Sequence, residues 1–368
     1  MPGRFDLDPT KKLSVPSIEY DAELQALLSQ ADRKMGRLDG IIQFLPNAEL
    51  FAAMYVKKEA VLSSQLDGAN TSFGDVLSAQ CEQDEEPRED IKRIVSYEKA
   101  INWGLSQLEK VPLSARLIES IQTNFFHSPK ETPPPKKPGR IRRALQMTPS
   151  ADNPSVRFVA DMEAALGEMD DYFSQDDATP ALVKIALLHA EFEMIHPWRD
   201  GGSRMGRLLI PFWLRQKQVL SKPLFYLSYY FKQNKTEYNE RLAAVHKLGD
   251  WTGWIKFFLK GVAEVADEAV NSASAIIRLK EELTQKLLEK DSGNTNYQKL
   301  LNYLFEQPFV KRSYVTQLLG VSNPTAGSII DTFCQLGILT DRSPGRHRNK
   351  TYAFSRYLEI LEKGTEPE

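Results

Sequence analysis

His196-Pro197-Trp198-Arg199-Asp200-Gly201-Gly202-Ser203-Arg204-Met205-Gly206-Arg207 is a polar, glycine-rich turn set between two apolar stretches of helical period. Leu182, Ile185, His189, Phe192 and Ile195 lead into it, and Leu208, Leu209, Phe212 and Trp213 follow, so the turn is held where two helices converge. An imidazole, with its ordinary pKa near neutrality, can take a proton from an attacking hydroxyl, a contribution of roughly 10²- to 10⁴-fold, and His196 is the turn's candidate base. Asp200 is a hard oxygen ligand suited to Mg²⁺ shared with phosphate oxygens. Gly201 and Gly202 let backbone N–H groups approach an anion, and Ser203, Met205 and Gly206 carry that run into the next helix, whose dipole favours negative charge at its start. Arg204 and Arg207 lie three apart, so both guanidinium groups can address one polyphosphate.

The stretch resembles the signature of the Fic family, H-P-F-x-D/E-G-N-G-R-x-x-R, at nearly every position. The resemblance implies transfer of AMP from ATP to a Ser, Thr or Tyr hydroxyl of a target protein or of the chain itself. It implies His196 as base, Asp200 as Mg²⁺ ligand, Arg204 as phosphate anchor and Arg207 as partner of the γ-phosphate. Three positions depart: Trp198 stands for Phe, Gly202 for the Asn that helps hold the phosphates, and Ser203 for the second Gly. Loss of the Asn amide opens a second reading, a weakened Fic core acting as a nucleotide-sensing scaffold, whereas surviving backbone donors favour activity. If the amide is what limits the rate, Gly202→Asn should raise it.

Towards the N-terminus, Leu24, Leu27, Leu28, Ala31, Met35 and Leu38 keep helical spacing up to Gly40, and a second helix opens at Pro46-Asn47. It arrives at Ser63-Ser64-Gln65-Leu66-Asp67-Gly68, which resembles the inhibitory motif S/T-x-x-x-E-G/N of Fic proteins that carry their own inhibitory helix. Ser63 and Gly68 match, and Asp67 stands where the family has Glu. The resemblance implies that Asp67 pairs with Arg207 and holds the site off. Ser72 to Leu77 reads as a short capped helix, and the acidic run from Glu82 to Asp90 as a linker. Gly139-Arg140-Ile141-Arg142 resembles the start of the family's target-docking flap, after which the likeness fades.

Beyond the signature, Tyr229-Tyr230-Phe231 and Glu237-Tyr238-Asn239 resemble the segments that close over the adenosine, with Tyr238 as the base contact. His189, on the apolar stripe, reads as a core histidine. Trp251, Trp254, Phe257 and Phe258 read as core, and Ser272 to Lys290 as a separate charged helix. Three short helices then follow, with Gly320-Val321-Ser322 as the turn and Ser322-Asn323-Pro324 as the cap of the third. Pro344-Gly345, Arg346, His347, Arg348 and Lys350 suggest a basic β-wing closed by Thr351 to Phe354, which is winged-helix order and fits either a DNA or a protein partner.

With Lys plus Arg at 47 against Asp plus Glu at 49 in 368 residues, the net charge of −2 excludes a nucleic-acid binder by composition, so any basic patch is local. Two cysteines, Cys81 and Cys334, cannot make a disulfide framework and suit a reducing cytoplasm. Neither a leader-like apolar core within Met1 to Pro16 nor a membrane-spanning stretch is present, so the expected setting is cytoplasmic without a membrane partner, with a homodimer left open. The expected fold is all-α with a small β-hairpin flap. Its expected parts are an N-terminal helical domain over 1–88, a Fic core over 89–271, a linker helix over 272–294 and a winged helix-turn-helix domain over 295–368.

Overall fold

The computed structural model describes residues 18–45, 48–81, 87–125, 162–175, 177–198, 201–343, 345 and 350–367. In chain order the first helices are α1 (Ala22–Ile42), α2 (Ala48–Leu66), α3 (Phe73–Cys81), α4 (Glu89–Leu108), α5 (Ala115–Phe125) and α6 (Met162–Ser174). Then come α7 (Ala181–Ile195), α8 (Gly202–Gln216), α9 (Ser228–Gln233), α10 (Lys235–Leu248), α11 (Trp251–Lys290) and α12 (Thr295–Glu306). The remainder is β1 (Phe309–Lys311), α13 (Arg312–Leu319), α14 (Asn323–Gln335), β2 (Thr340–Asp341), β3 (Thr351–Ala353) and α15 (Ser355–Glu362). The fold is all-α, as the sequence predicts, with one small sheet among the described residues. Two helices run further than read. α1 passes through Gly40 to Ile42, since a single glycine costs a packed helix only about 1 kcal/mol. α11 is one helix of 40 residues, and the charged stretch from Ser272 is its second half rather than a separate element.

These elements form two compact units, one of residues 1–39 and 96–267, the other of residues 40–95 and 268–368. In the first, α7 is the central helix. From Leu182 to Ile195 every residue is buried, so α7 has no solvent face and must be wrapped by others. α6, α8 and α10 pack on it. Two indoles pin its backbone: Trp213 Nε1 donates to the Ala181 carbonyl at 3.0 Å and Trp254 Nε1 to the Ala186 carbonyl at 2.8 Å. Its buried Lys184 ammonium is satisfied by the Gln175 carbonyl at 2.6 Å and Asp177 at 3.1 Å. A buried amine without such partners would be driven to neutrality.

In the second unit α2 and α3 pack with the C-terminal elements, α2 on α12 and α15, and α3 on β1 and α15. Residues 40–95 thus cluster with 268–368, where α2 is buried around most of its circumference and covered on several sides. Its one buried ammonium, Lys58, lies 3.6 Å from Glu268, whose carboxylate also accepts from Ser272 Oγ at 3.0 Å. The sheet is antiparallel in the order β1-β3-β2, with Val310 opposite Tyr352 and Thr340 opposite Ala353. Ser322 caps α14 by accepting the Thr325 N–H at 3.3 Å, and Gly320 ends α13 at φ 64°, the left-handed turn that glycine adopts without penalty.

Candidate active site

The turn between α7 and α8 is framed by two left-handed residues. His196, the C-cap of α7, has φ 44° and ψ 66°, and its N–H donates to the Phe192 carbonyl at 2.8 Å. A residue with a Cβ pays for that conformation, roughly 1–2 kcal/mol, so the surroundings hold it there. Pro197 cannot continue the helix, and Trp198 packs against Phe192 with ring centroids 6.0 Å apart, fully covered. Trp198 is therefore an apolar anchor for the turn. Gly201, at φ 73°, is the N-cap of α8 and accepts the Met205 N–H at 2.9 Å. Having no side chain, it cannot itself cap the first turn of α8.

The imidazole of His196 lies directly over that helix start. A Cβ added to Gly202 would sit 2.9 Å from both Cε1 and Nε2 of the ring. The glycine that replaces the signature Asn therefore does more than delete an amide, since its missing Cβ is the space the ring occupies. Ser203, the other departure, donates from Oγ to Glu193 Oε2 at 3.0 Å, tying the first turn of α8 to the last turn of α7. Gly206 lets the same carboxylate come close, because a Cβ there would run into Glu193 and stand 3.1 Å from the Phe192 ring. Tyr97 adds a third tie, its hydroxyl donating to the Arg204 carbonyl at 3.1 Å. Met205 and Arg207 are buried in α8, whereas Arg204 and Ser203 are partly exposed. Gly202, Ser203, Arg204, Met205, Gly206 and Arg207 thus run through the first turns of α8 behind the cap Gly201, and the ring of His196 lies against Gly202. Asp200 lies outside the described residues, as do Gly139 to Arg142 of the flap.

Two turns before His196 on the same helix, His189 is fully buried among Phe231, Tyr238, Trp254 and Phe258. Its Nδ1 is 2.9 Å from the Gly206 carbonyl, which can only accept, so Nδ1 carries the proton and Nε2 accepts from the Tyr238 hydroxyl at 3.0 Å. Burial, helped by the charge of Arg207, lowers its pKa to about 4. Tyr238, read as a base contact, has its hydroxyl engaged by His189 and its ring stacked on Phe231 at 4.4 Å.

Of the motif at the end of α2, Ser63 is buried within the helix, Asp67 is exposed just beyond it, and Gly68 takes φ 93°. Sequence reasoning passed over Glu193 and Tyr97. A carboxylate on a mostly apolar helix, three residues before the base, was a signal for the first. Tyr97, 107 positions from Arg204, had none.

The Fic/DOC family N-terminal profile matches residues 25–106, and the Fic/DOC family profile matches residues 112–214, together half of the chain. The chain belongs to the Fic/DOC family. Fic domains generally carry out AMPylation or a related nucleotidyl transfer, and members are typically transferases. Among solved structures, a Fic family protein from Desulfovibrio desulfuricans G20 is similar over 93% of this chain and 98% of its own, at 16% identity and a TM-score of 0.55. Fic-1 (residues 134–508) from C. elegans is similar over 70% of this chain and 73% of its own, at 17% identity and a TM-score of 0.51. At such identities the likeness concerns the Fic fold. No helix among the described residues is long and apolar enough to cross a membrane.

Proposed function

We propose that this Fic protein is a protein adenylyltransferase that moves AMP from ATP to a Ser, Thr or Tyr hydroxyl. The observation that carries the reading is the imidazole of His196 lying against Gly202 at the start of α8, which brings a base and an anion-binding helix terminus together. The hydroxyl oxygen attacks the α-phosphorus, its proton goes to His196, and the bond to the β-phosphate oxygen breaks to release pyrophosphate. The N–H groups of Gly202 to Arg204 and the guanidinium groups of Arg204 and Arg207 hold the phosphate charge. The carboxylate of Asp200 has the donor chemistry for Mg²⁺, which when bound would neutralise phosphate charge. The ring of Tyr238 would meet the adenine. The test is incubation with Mg²⁺ and ATP labelled at the α- or the γ-phosphate. Label from the α-position should reach protein, and His196→Ala should abolish it. Transfer from the γ-position instead would make the protein a kinase.

Gly202 favours a second reading, a Fic scaffold that senses nucleotide without turning it over; it predicts ATP binding with no transfer of either label. We further infer autoinhibition through pairing of Asp67 with Arg207, relieved in Asp67→Gly. For residues 295–368 we propose a winged helix, supported by the order α12-β1-α13-α14-β2-β3 and the sheet order β1-β3-β2. Of the wing's cations, Lys350 is paired with Asp341 at 2.7 Å, and Arg346 and Arg348 lie outside the described residues. Binding of duplex DNA that weakens steeply with salt would support a DNA partner, and salt-independent binding a protein one. The cytoplasm, and a homodimer, belong to the same proposal.

A further inference from the structure

The turn that carries Asp67 is built from one end of α2 and fastened by residues some 300 positions away. The Asp67 and Ala69 N–H groups both donate to the Ser64 carbonyl, at 3.1 and 3.0 Å, and the Gly68 N–H donates to the Gln65 carbonyl at 2.9 Å. Gln65, two residues before Asp67, is buried and uses both protons of its side-chain amide. Nε2 donates to the Thr71 carbonyl at 2.9 Å and to the Thr365 carbonyl at 2.8 Å. Thr71 and Thr365 are buried as well. Thr365 is held in turn by α15, since its N–H and Oγ both donate to the Glu362 carbonyl, at 2.8 and 2.7 Å. The Glu362 carboxylate fills the space over Gly74, where a Cβ would lie 2.6 Å from Oε1, so α15 also closes on the start of α3.

We propose that the segment after α15 is a latch that sets the position of Asp67, so that nucleotidyl transfer answers to the C-terminal elements. The inference rests on the reading of Asp67 as inhibitory. If Thr365 leaves, a buried amide proton of Gln65 loses its acceptor, and a buried donor is costly enough that the turn must rearrange or open to water. The residue displaced by that rearrangement is Asp67, because its own N–H hangs on the same last turn of α2. Any event that draws α15 or Thr365 aside, such as a partner seated on the C-terminal elements, thereby moves the inhibitory carboxylate without touching the phosphate turn.

The test compares α-label transfer by the full chain with that of Gln65→Leu, of a chain ending at Gly364, and of both changes together, with thermal unfolding as the check on folding. Each single change should raise transfer about fivefold or more. The combination should add nothing further, and neither should Asp67→Gly on top, since all act through one device. A rise in Asp67→Gly with Gln65→Leu and the shortened chain at the parental rate would overturn the latch and leave autoinhibition standing. If none of them raises transfer while His196→Ala abolishes it, the inhibitory reading falls and the latch with it. Should Gln65→Leu fail to fold, the shortened chain decides alone.

Discussion

α7 carries two buried histidines seven residues apart, and they have opposite fates. At mid-helix, His189 has both ring nitrogens bonded, one to a backbone carbonyl and one to a hydroxyl, inside a shell of aromatic rings. At the end, His196 is turned into the left-handed region by the stop at Pro197, and its ring rests on a residue without a side chain. Burial alone therefore says nothing about role. What separates the two is the setting: His189 is saturated by an acceptor and a donor inside an aromatic shell, while the ring of His196 lies against the first residue of a helix.

The largest expected effect tests that contrast directly. His196→Ala should lower α-label transfer by roughly 10²- to 10⁴-fold while leaving the urea midpoint close to that of the parent. His189 should show the reverse, and through pH. Its folded pKa, about 4, is depressed from the ordinary 6.5. Between those values the unfolded chain takes up a proton that the folded chain refuses, so stability falls as pH falls. The loss should approach roughly 3 kcal/mol at pH 4, fully recovered above pH 6.5. Urea unfolding at pH 7 and pH 4.5 would measure it, and His189→Phe should flatten the difference. An unchanged pH dependence in that variant would break the comparison.

The sequence marked His196, the glycines and both arginines as a candidate site because a turn this short keeps its chemistry in consecutive letters. It also made His189 legible, since its place on an apolar stripe implies satisfied hydrogen bonds. Glu193 and Tyr97 escaped for different reasons. Glu193 is buried on α7, and the close approach of α8 at Gly206, together with the bond from Ser203, belongs to tertiary packing that the sequence pattern does not show. Tyr97 reaches Arg204 across the tertiary fold, a contact no periodicity encodes. The continuity of α11 was hidden by a change in composition halfway along it, from aromatic and apolar at Trp254 to charged after Arg278. Burial changes there while the helix does not.

Gly202 sharpens the comparison next, and it reverses a simple expectation. Restoring the signature Asn looks as if it should add a donor and speed transfer. Yet any Cβ at 202 falls 2.9 Å from two ring atoms of His196, closer than such contacts allow, so the ring must swing away from the helix start. A displacement near 1 Å can cost about 10²-fold in a positioned reaction. Gly202→Ala should accordingly lower α-label transfer about tenfold or more, and Gly202→Asn should not exceed the parent. A faster Gly202→Asn would mean that the amide outweighs the displacement and that the ring has a second productive place.

Ser203 gives the smallest effect and the finest test. Its hydroxyl donates to the buried carboxylate of Glu193. Ser203→Ala leaves that oxygen without this donor, and bonds of this kind to a charged group are worth about 1.5–3 kcal/mol. Because Ser203 is only partly buried, water can replace some of the loss, so a decrease of about 1 kcal/mol in urea unfolding is the expected size. The kinetic consequence separates holding from touching. If Ser203 acts by fixing the start of α8 through Glu193, Ser203→Ala should lower kcat by a few fold with little change in the KM for ATP, and Ser203→Thr, which keeps the hydroxyl, should restore it. If the hydroxyl instead binds phosphate, the KM should rise and stability should be untouched. The same measurement on Glu193→Gln decides which side of the bond matters. An amide in place of the carboxylate can still accept from Ser203 but lacks the charge, so retained kcat there would leave geometry, not charge, as what keeps His196 over its glycine.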